Sequence, residues 1–264
     1  MRKISIPGVF IFLLILVTCF PNLFTKRDPL AIGVDDVLRS PSLEFPFGTD
    51  RLGRDIFARL IYGGQVSIGV AVGSVVIALL LGTLIGMSCG FFGKNIDLVM
   101  MRFVDLLLSF PTFLLAITFA AALGPSSRNA ILALAVVYTP IFARISRSAT
   151  IAEIGKGYCE ALRSVGSSRW RIMWRHLLPN ISTPLAVQTS AALAQAILLE
   201  SGLSFLGLGA QPPASSWGSI LSEGRVLLDR APWVAIGASL FLCVSVLSLF
   251  VLGDALRDLL DPRS

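Results

Sequence analysis

Residues 66–91 read VSIGVAVGSVVIALLLGTLIGMSCGF, a run of 26 residues without a charged side chain. A helix of about twenty apolar residues is long enough to cross the roughly 30 Å hydrocarbon core of a bilayer. Five further apolar segments of similar character lie near residues 5–24, 104–123, 129–148, 184–206 and 233–253. The sequence therefore predicts an all-α membrane protein with about six transmembrane helices.

The overall composition supports the same class of protein. Hydrophobic residues make up 55% of the 264-residue chain and charged residues only 14%, whereas soluble domains carry about a quarter charged residues. The net charge of +6 comes from basic residues between the apolar segments, without the aromatic and basic pattern of a nucleic-acid-binding domain. The four cysteines have no metal-binding spacing and His176 is the single histidine, so we expect no metal site.

The distribution of basic residues predicts the orientation in the membrane. With the N-terminus inside, the inner segments hold 13 of the 22 lysines and arginines, as the positive-inside rule requires. Both termini are then cytoplasmic. The chain divides into a first transmembrane helix with an extracytoplasmic segment (1–65) and a core of five transmembrane helices (66–264). A cleaved signal peptide is the alternative at the N-terminus, but the apolar run continues to Phe24, which favours an uncleaved helix.

Three glycines recur at every fourth position of the second apolar segment. Gly82, Gly86 and Gly90 therefore share one helix face. A face without side chains lets another backbone approach closely. Two interpretations are open, namely packing within this subunit or a seam with a partner subunit.

Polar residues at two places in the third segment indicate structural roles. Arg102 and Asp105 lie three apart on one helix face, which predicts an ion pair at the membrane interface. Pro111 follows within the same segment and predicts a kink.

The fifth segment carries the polar residues that are candidates for lining a path across the membrane. Gln188 and Gln195 are seven apart and share nearly the same face. Glu200 is the one acid well inside a span, and ionisable groups in that position are functional candidates. Glu200 could line the path, or it could equally cap the backbone at Gly202.

The loop at residues 149–183, between the fourth and fifth segments, lies on the inner side. Its sequence predicts a short helix, a break at Gly166, and a second amphipathic helix that ends near Pro179. An amphipathic element held between two spans is suited to dock into a groove of another protein. The alternative is an ordinary basic loop at the membrane surface.

The same loop carries a motif of a known family. Glu160, Ala161, Gly166, Leu178 and Pro179 stand at the spacing Glu-Ala, four residues, Gly, eleven residues, Leu-Pro. This pattern resembles the coupling loop of bacterial ABC importer permeases. His176 stands where isoleucine is common in that family.

Further motifs extend the resemblance from about residue 43 to the C-terminus. They resemble the C-type permease of the dipeptide, oligopeptide and nickel branch. The motifs are Phe47–Asp55, Ile61–Gly63, Ser109–Pro111, Ser204–Gly209, Gln211–Pro213, Trp217-Gly218 and Gly253–Asp258.

The resemblance implies a fold, a location and partners. It implies the ABC importer permease fold, with a cytosolic coupling helix between spans four and five, in the bacterial inner membrane. It also implies a B-type permease subunit as partner, two cytosolic ABC ATPases and an extracytoplasmic solute-binding protein. The solute would be a dipeptide, an oligopeptide or a related small solute such as a nickel complex.

We expect no enzymatic activity and no directly bound cofactor in this chain. Gly93-Lys94-Asn95 lacks the upstream glycine and the following Ser or Thr of a phosphate-binding loop, so ATP would be used by the partner subunits. Two other function classes compete with an ABC permease. A secondary transporter or channel would favour several paired ionisable residues at mid-membrane, and a membrane-bound assembly or signalling protein would have no path.

Overall fold

The computed structural model describes residues 16–18 and 20–260 of the chain. Within these residues the regular structure is helical, and an isolated bridge between Thr49 and Asp55 is the one strand-like pairing. The helices are α1 (Ile56–Phe92), α2 (Lys94–Leu108), α3 (Thr112–Leu123), α4 (Ser127–Ile154), α5 (Gly157–Ser164), α6 (Arg169–Asn180), α7 (Ser182–Phe205), α8 (Trp217–Arg225) and α9 (Pro232–Leu260). The predicted all-α class is confirmed.

Three of these helices are each long and apolar enough to cross a membrane. They are α1, α4 and α9, and two bent pairs, α2 with α3 and α6 with α7, bring the number to five if each pair is one span. The predicted first span, 5–24, lies largely outside the described residues; within it, residues 16–18 are helical and Pro21–Leu23 form a 3-10 turn. Six spans and cytoplasmic termini therefore stay predictions.

The third predicted span differs from the expectation of one kinked helix over 104–123. Helix α2 begins at Lys94 and ends at Leu108, and α3 begins at Thr112 at an angle of 94° to it. Pro111 lies in the break, immediately before α3. Proline has no N–H to donate and disfavours helical geometry in the residue before it, so the chain turns here instead of bending gently.

The glycine face of α1 packs against α4 within the same chain. A Cβ atom added to Gly86 would lie 2.1 Å from the carbonyl oxygen of Ala143, and one added to Gly82 would lie 2.5 Å from Cβ of Phe142. Gly90 meets Thr150 in the same way, at 2.9 Å. The glycines thus allow two backbones to approach closely inside the subunit, which decides against the alternative of a seam with a partner.

The segment before α1 is tied to the helical core by a group of charges around the buried Arg59. Asp55 caps α1, accepting a hydrogen bond from Phe57 N–H at 2.9 Å, so the helix begins ahead of the apolar segment and the proposed boundary at residues 65–66 falls inside it. Arg59 is 2% exposed; its Nη1 lies 2.7 Å from Asp50 Oδ2 and its Nη2 lies 2.8 Å from Glu223 Oε1. Because a buried charge must be paired, this group fixes α8 against the start of α1.

Candidate functional site

Helix α5 lies in the loop between α4 and α7, and its C-terminal end is set by a glycine. Gly166 has φ +79°, a left-handed conformation that is easy for glycine alone. Its N–H donates to the carbonyl oxygen of Arg163, and the N–H of Ser167 donates to that of Leu162, both at 3.0 Å. These two bonds form a Schellman motif, which satisfies carbonyl groups at the helix end. Gly166 of the motif therefore ends α5 and turns the chain toward α6.

Tyr158 connects the two ends of this loop. Its hydroxyl donates to Glu153 Oε2 at 2.9 Å and accepts from Asn180 Nδ2 at 3.0 Å. Glu153 belongs to the end of α4 and Asn180 to the end of α6, next to α7. Burial raises the pKa of Tyr158 to about 12, so the phenol stays protonated at physiological pH and keeps its donor. We call Glu153, Tyr158 and Asn180 the loop clamp.

The two faces of α5 differ in environment. Cys159 is buried and Leu162 packs against the core. Glu160 and Ala161, the motif residues, are exposed, as is Gly166 just beyond the helix. The helix is therefore amphipathic and anchored, which favours a docking element over an ordinary basic loop.

Helix α6 is anchored in the same manner and carries a π-helical section over Ile172–Leu177. Met173 and Leu177 are buried, and Leu178 packs against the core. His176 is partly exposed and Pro179 is exposed, so the two lie at the surface near the bend into α7. Such π-helical turns occur frequently at functional sites.

Ion pairs connect α2 to α4 next to this loop. Asp105 Oδ1 lies 2.5 Å from Arg144 Nη2, so the predicted pair of Asp105 with Arg102 is wrong. Asp97 forms a bidentate ion pair with Arg147, in which Arg147 Nη2 lies 2.6 Å from Asp97 Oδ2. The sequence reasoning missed both pairs because the partners are 39 and 50 residues apart.

The three polar residues of α7 that are candidates for lining a path differ in their exposure. Gln195 is exposed and Gln188 is partly exposed. Glu200, by contrast, is 1% exposed and lies inside the subunit. In this conformation Glu200 therefore does not line an accessible surface, which counts against the interpretation that it lines the path.

Hydroxyl groups surround Glu200 instead of solvent. Ser204 Oγ donates to Glu200 Oε1 at 2.6 Å, and the hydroxyl of Ser201 lies 3.4 Å from Oε2. Ser67 of α1 and Ser216, the cap of α8, also lie beside this carboxyl group. The cap at Gly202 is thus not its role; Glu200 joins α1, α7 and α8. Ser67 is distant from Glu200 in the sequence, so no sequence pattern indicated that the two residues lie close together.

No group of three or more His, Cys, Asp and Glu residues in the described ranges could hold a metal ion. The ion pairs near the loop in these ranges are Asp105 with Arg144, Asp97 with Arg147 and Glu153 with Lys156.

A helical bundle with an anchored amphipathic unit between two of its spanning elements is the architecture of a transporter's membrane subunit. The chain belongs to the family described as binding-protein-dependent transport system inner membrane component, which it matches over residues 82–264. This confirms the predicted permease subunit of an ABC importer and its inner-membrane location.

Individual relatives agree with the family. The chain is 40% identical to the dipeptide transport system permease protein DppC of Alkalihalophilus pseudofirmus, over 99% of this chain and 86% of that protein. It is also 40% identical to the probable D,D-dipeptide transport system permease protein DdpC of Escherichia coli K12, over 97% and 86%. These relatives are transport permease subunits and not enzymes.

A solved structure supports the fold. An inward-facing form of the MetNI methionine ABC transporter has a TM-score of 0.62 to this chain at 20% identity, covering 78% of this chain and 98% of the other. At 20% identity the structural similarity shows the fold alone, and it confirms the predicted ABC importer permease fold.

Proposed function

We propose that this chain forms half of the translocation path of an ATP-driven importer for dipeptides or short oligopeptides. A B-type permease forms the other half, two cytosolic ABC ATPases supply the energy, and an extracytoplasmic binding protein delivers the solute. The names of the relatives support peptides as solute, and a nickel complex is a side option. We propose that ATP is used by the partner subunits and not by this chain, since Gly93-Lys94-Asn95 lacks the pattern of a phosphate-binding loop.

The anchored α5–α6 unit is the observation that carries this proposal. Glu160 and Ala161 are exposed for contact with an ATPase, and the loop clamp joins the unit to both α4 and the end of α6. When ATP closes the ATPases, α5 moves with them. Because the clamp connects its ends, that displacement reaches the two neighbouring spans together and rocks them between inward-open and outward-open states.

The exposed face of α7 is our candidate for the path itself. Gln195 is exposed and Gln188 partly exposed on this helix, where the other polar side chains with exposure are the smaller Ser182, Thr183 and Thr189. A neutral amide can hydrogen-bond the peptide groups of a solute without holding it as strongly as a charge would. We propose that both glutamines meet the B-type subunit's face across the path.

Substitution of Gly166 tests the coupling role. A Cβ atom at Gly166 meets no atom within 4 Å in this chain, so Gly166→Trp adds bulk on the side where an ATPase would dock. In proteoliposomes containing the complete transporter, we expect labelled dipeptide uptake to fall at least tenfold while membrane insertion is unchanged. Gly166→Asn is the matched control, because Asn tolerates a positive φ, and we expect it to retain most uptake.

The outcome of this experiment is decisive in both directions. Full ATP-dependent uptake by the Gly166→Trp transporter would refute the coupling role. Wild-type uptake of a nickel chelate but not of dipeptide would refute the proposed solute and leave the coupling role intact.

A further inference from the structure

A polar cavity of about 450 Å³ lies between the end of α1 and the α5–α6 unit. Its lining is formed by Phe91, Phe92, Arg163, Ser167, Arg169 and Ile172. None of these residues belongs to the loop clamp or is a residue of the coupling motif. The cavity is large enough to hold a small anionic group and parts of its substituents.

Two guanidinium groups border this cavity without a carboxylate. In the described part of the chain, neither Arg163 nor Arg169 forms an ion pair, whereas Arg144, Arg147 and Lys156 nearby each have an acidic partner. The guanidinium of Arg163 lies 5.9 Å from the centre of the Phe91 ring, a cation–π contact that holds it at the cavity. Each guanidinium group presents a planar set of N–H donors, which matches the oxygens of a phosphate group.

Aromatic residues place the cavity at the depth of the lipid headgroups. Phe91 and Phe92 form the last turn of α1, a helix long enough to span the bilayer. Beside Arg169, the rings of Trp170 and Trp174 stack with centroids 6.4 Å apart, and both are exposed. Exposed tryptophans at the end of a span are typical of the membrane–water interface.

We propose that this cavity binds the phosphate of an anionic phospholipid headgroup, with Arg163, Arg169 and the Ser167 hydroxyl as donors. The proposal rests on the proposed function for one point, namely that the loop lies on the cytoplasmic side. The cytoplasmic leaflet is rich in anionic lipid, and basic pockets between spans on that side bind such headgroups. A bound lipid bridges the end of α1 to the α5–α6 unit and so steadies the coupling element.

The test compares two double variants of the complete transporter with equal loss of charge from the same segment. Arg163→Gln with Arg169→Gln removes the cavity donors, and Arg171→Gln with Arg175→Gln removes arginines that do not line the cavity. Native mass spectrometry counts the lipids that remain bound in nanodiscs of phosphatidylcholine with increasing phosphatidylglycerol. We expect the cavity variant to bind phosphatidylglycerol about tenfold more weakly or worse, and the control variant to match the wild type.

Several outcomes would overturn the proposal. An equal loss of bound phosphatidylglycerol in both double variants would show general electrostatic attraction. No loss of bound phosphatidylglycerol in either variant would show that the cavity is not a lipid site. Displacement of phosphatidylglycerol by millimolar inorganic phosphate would assign the cavity to free phosphate. Loss of the ATPases from the cavity variant with an unchanged lipid count would make it a protein contact. Dipeptide uptake by the wild type, measured in parallel, keeps these outcomes separate from the proposed function.

Discussion

At the scale of single residues, the loop between α4 and α7 depends on groups that the family motif does not contain. Gly166 ends α5 through its left-handed conformation, as the motif leads one to expect. The residue that connects the loop to the spans, however, is Tyr158, through bonds of 2.9 Å and 3.0 Å. Each hydrogen bond of this kind contributes about 0.5–1.5 kcal/mol, so the clamp stabilises the loop by a small but useful amount.

We predict that Tyr158→Phe uncouples transport from ATP hydrolysis. The variant keeps the ring and its packing but loses both hydrogen bonds of the clamp, so α5 can move without its neighbouring spans. In proteoliposomes with the complete transporter, we expect the number of peptides imported per ATP hydrolysed to fall at least about fivefold, as loss of two hydrogen bonds worth about 1–3 kcal/mol together implies.

Tyr62→Phe provides the matched control for this prediction. The Tyr62 hydroxyl donates to Asn22 Oδ1 at 2.7 Å, near the start of α1 and away from the loop. We expect its peptide-to-ATP ratio to equal that of the wild type. An unchanged ratio in Tyr158→Phe, or an equal fall in both variants, would contradict the role of the clamp.

At the scale of elements, the contact of α1 with α4 is the main helix–helix interface of the subunit. The sequence indicates its cause, a glycine face at every fourth residue, but not its partner. The structure identifies α4 through the close approach of Gly86 to the backbone at Ala143. Lipid cannot drive helices together as water does, so the close contact of the backbones supplies much of the attraction.

We predict that Gly86→Ala lowers the stability of the purified subunit. The added Cβ would lie 2.1 Å from the carbonyl oxygen of Ala143, so α1 and α4 must separate, at a cost of about 1–3 kcal/mol. Thermal unfolding in detergent measures this as a lower melting temperature. Gly69→Ala is the control on the same helix, since its Cβ would meet no atom within 4 Å, and it should be neutral or slightly stabilising. Equal melting temperatures for the two variants would contradict this packing.

At the scale of the whole molecule, the positions of the loops relative to the membrane decide the mechanism. In the proposed function, the α5–α6 unit faces the ATPases and the segment before α1 faces the binding protein. The positive-inside rule places them on opposite sides. The structure adds that Arg59, at the start of α1, pairs with Asp50 of the preceding segment and with Glu223 of α8, so that segment and α8 lie on one side.

We predict opposite accessibility for two introduced cysteines. Val165, at the end of α5, is 78% exposed, and Leu43, before α1, is fully exposed. In a variant whose native cysteines are replaced by serine, a membrane-impermeant maleimide should label Val165→Cys in inside-out vesicles and Leu43→Cys in right-side-out vesicles. Labelling of both cysteines from the same side would refute the predicted orientation.

The sequence by itself determined the class of protein, the apolar segments and the family motif. Apolar length, basic-residue distribution and motif spacing are local or one-dimensional properties, and the family then follows from them. The break at Pro111 was sharper than expected, because a proline's effect on direction depends on the packing of the helices on either side.

Only the tertiary structure decided which polar groups meet. Asp105 faces Arg144 and not Arg102, Glu200 is enclosed by serines from three helices, and Tyr158 joins residues of α4 and α6. The same holds for the cavity between α1 and the α5–α6 unit. In a membrane, a polar side chain must find its partner wherever the bundle places one, and that partner is set by helix packing rather than by distance along the chain.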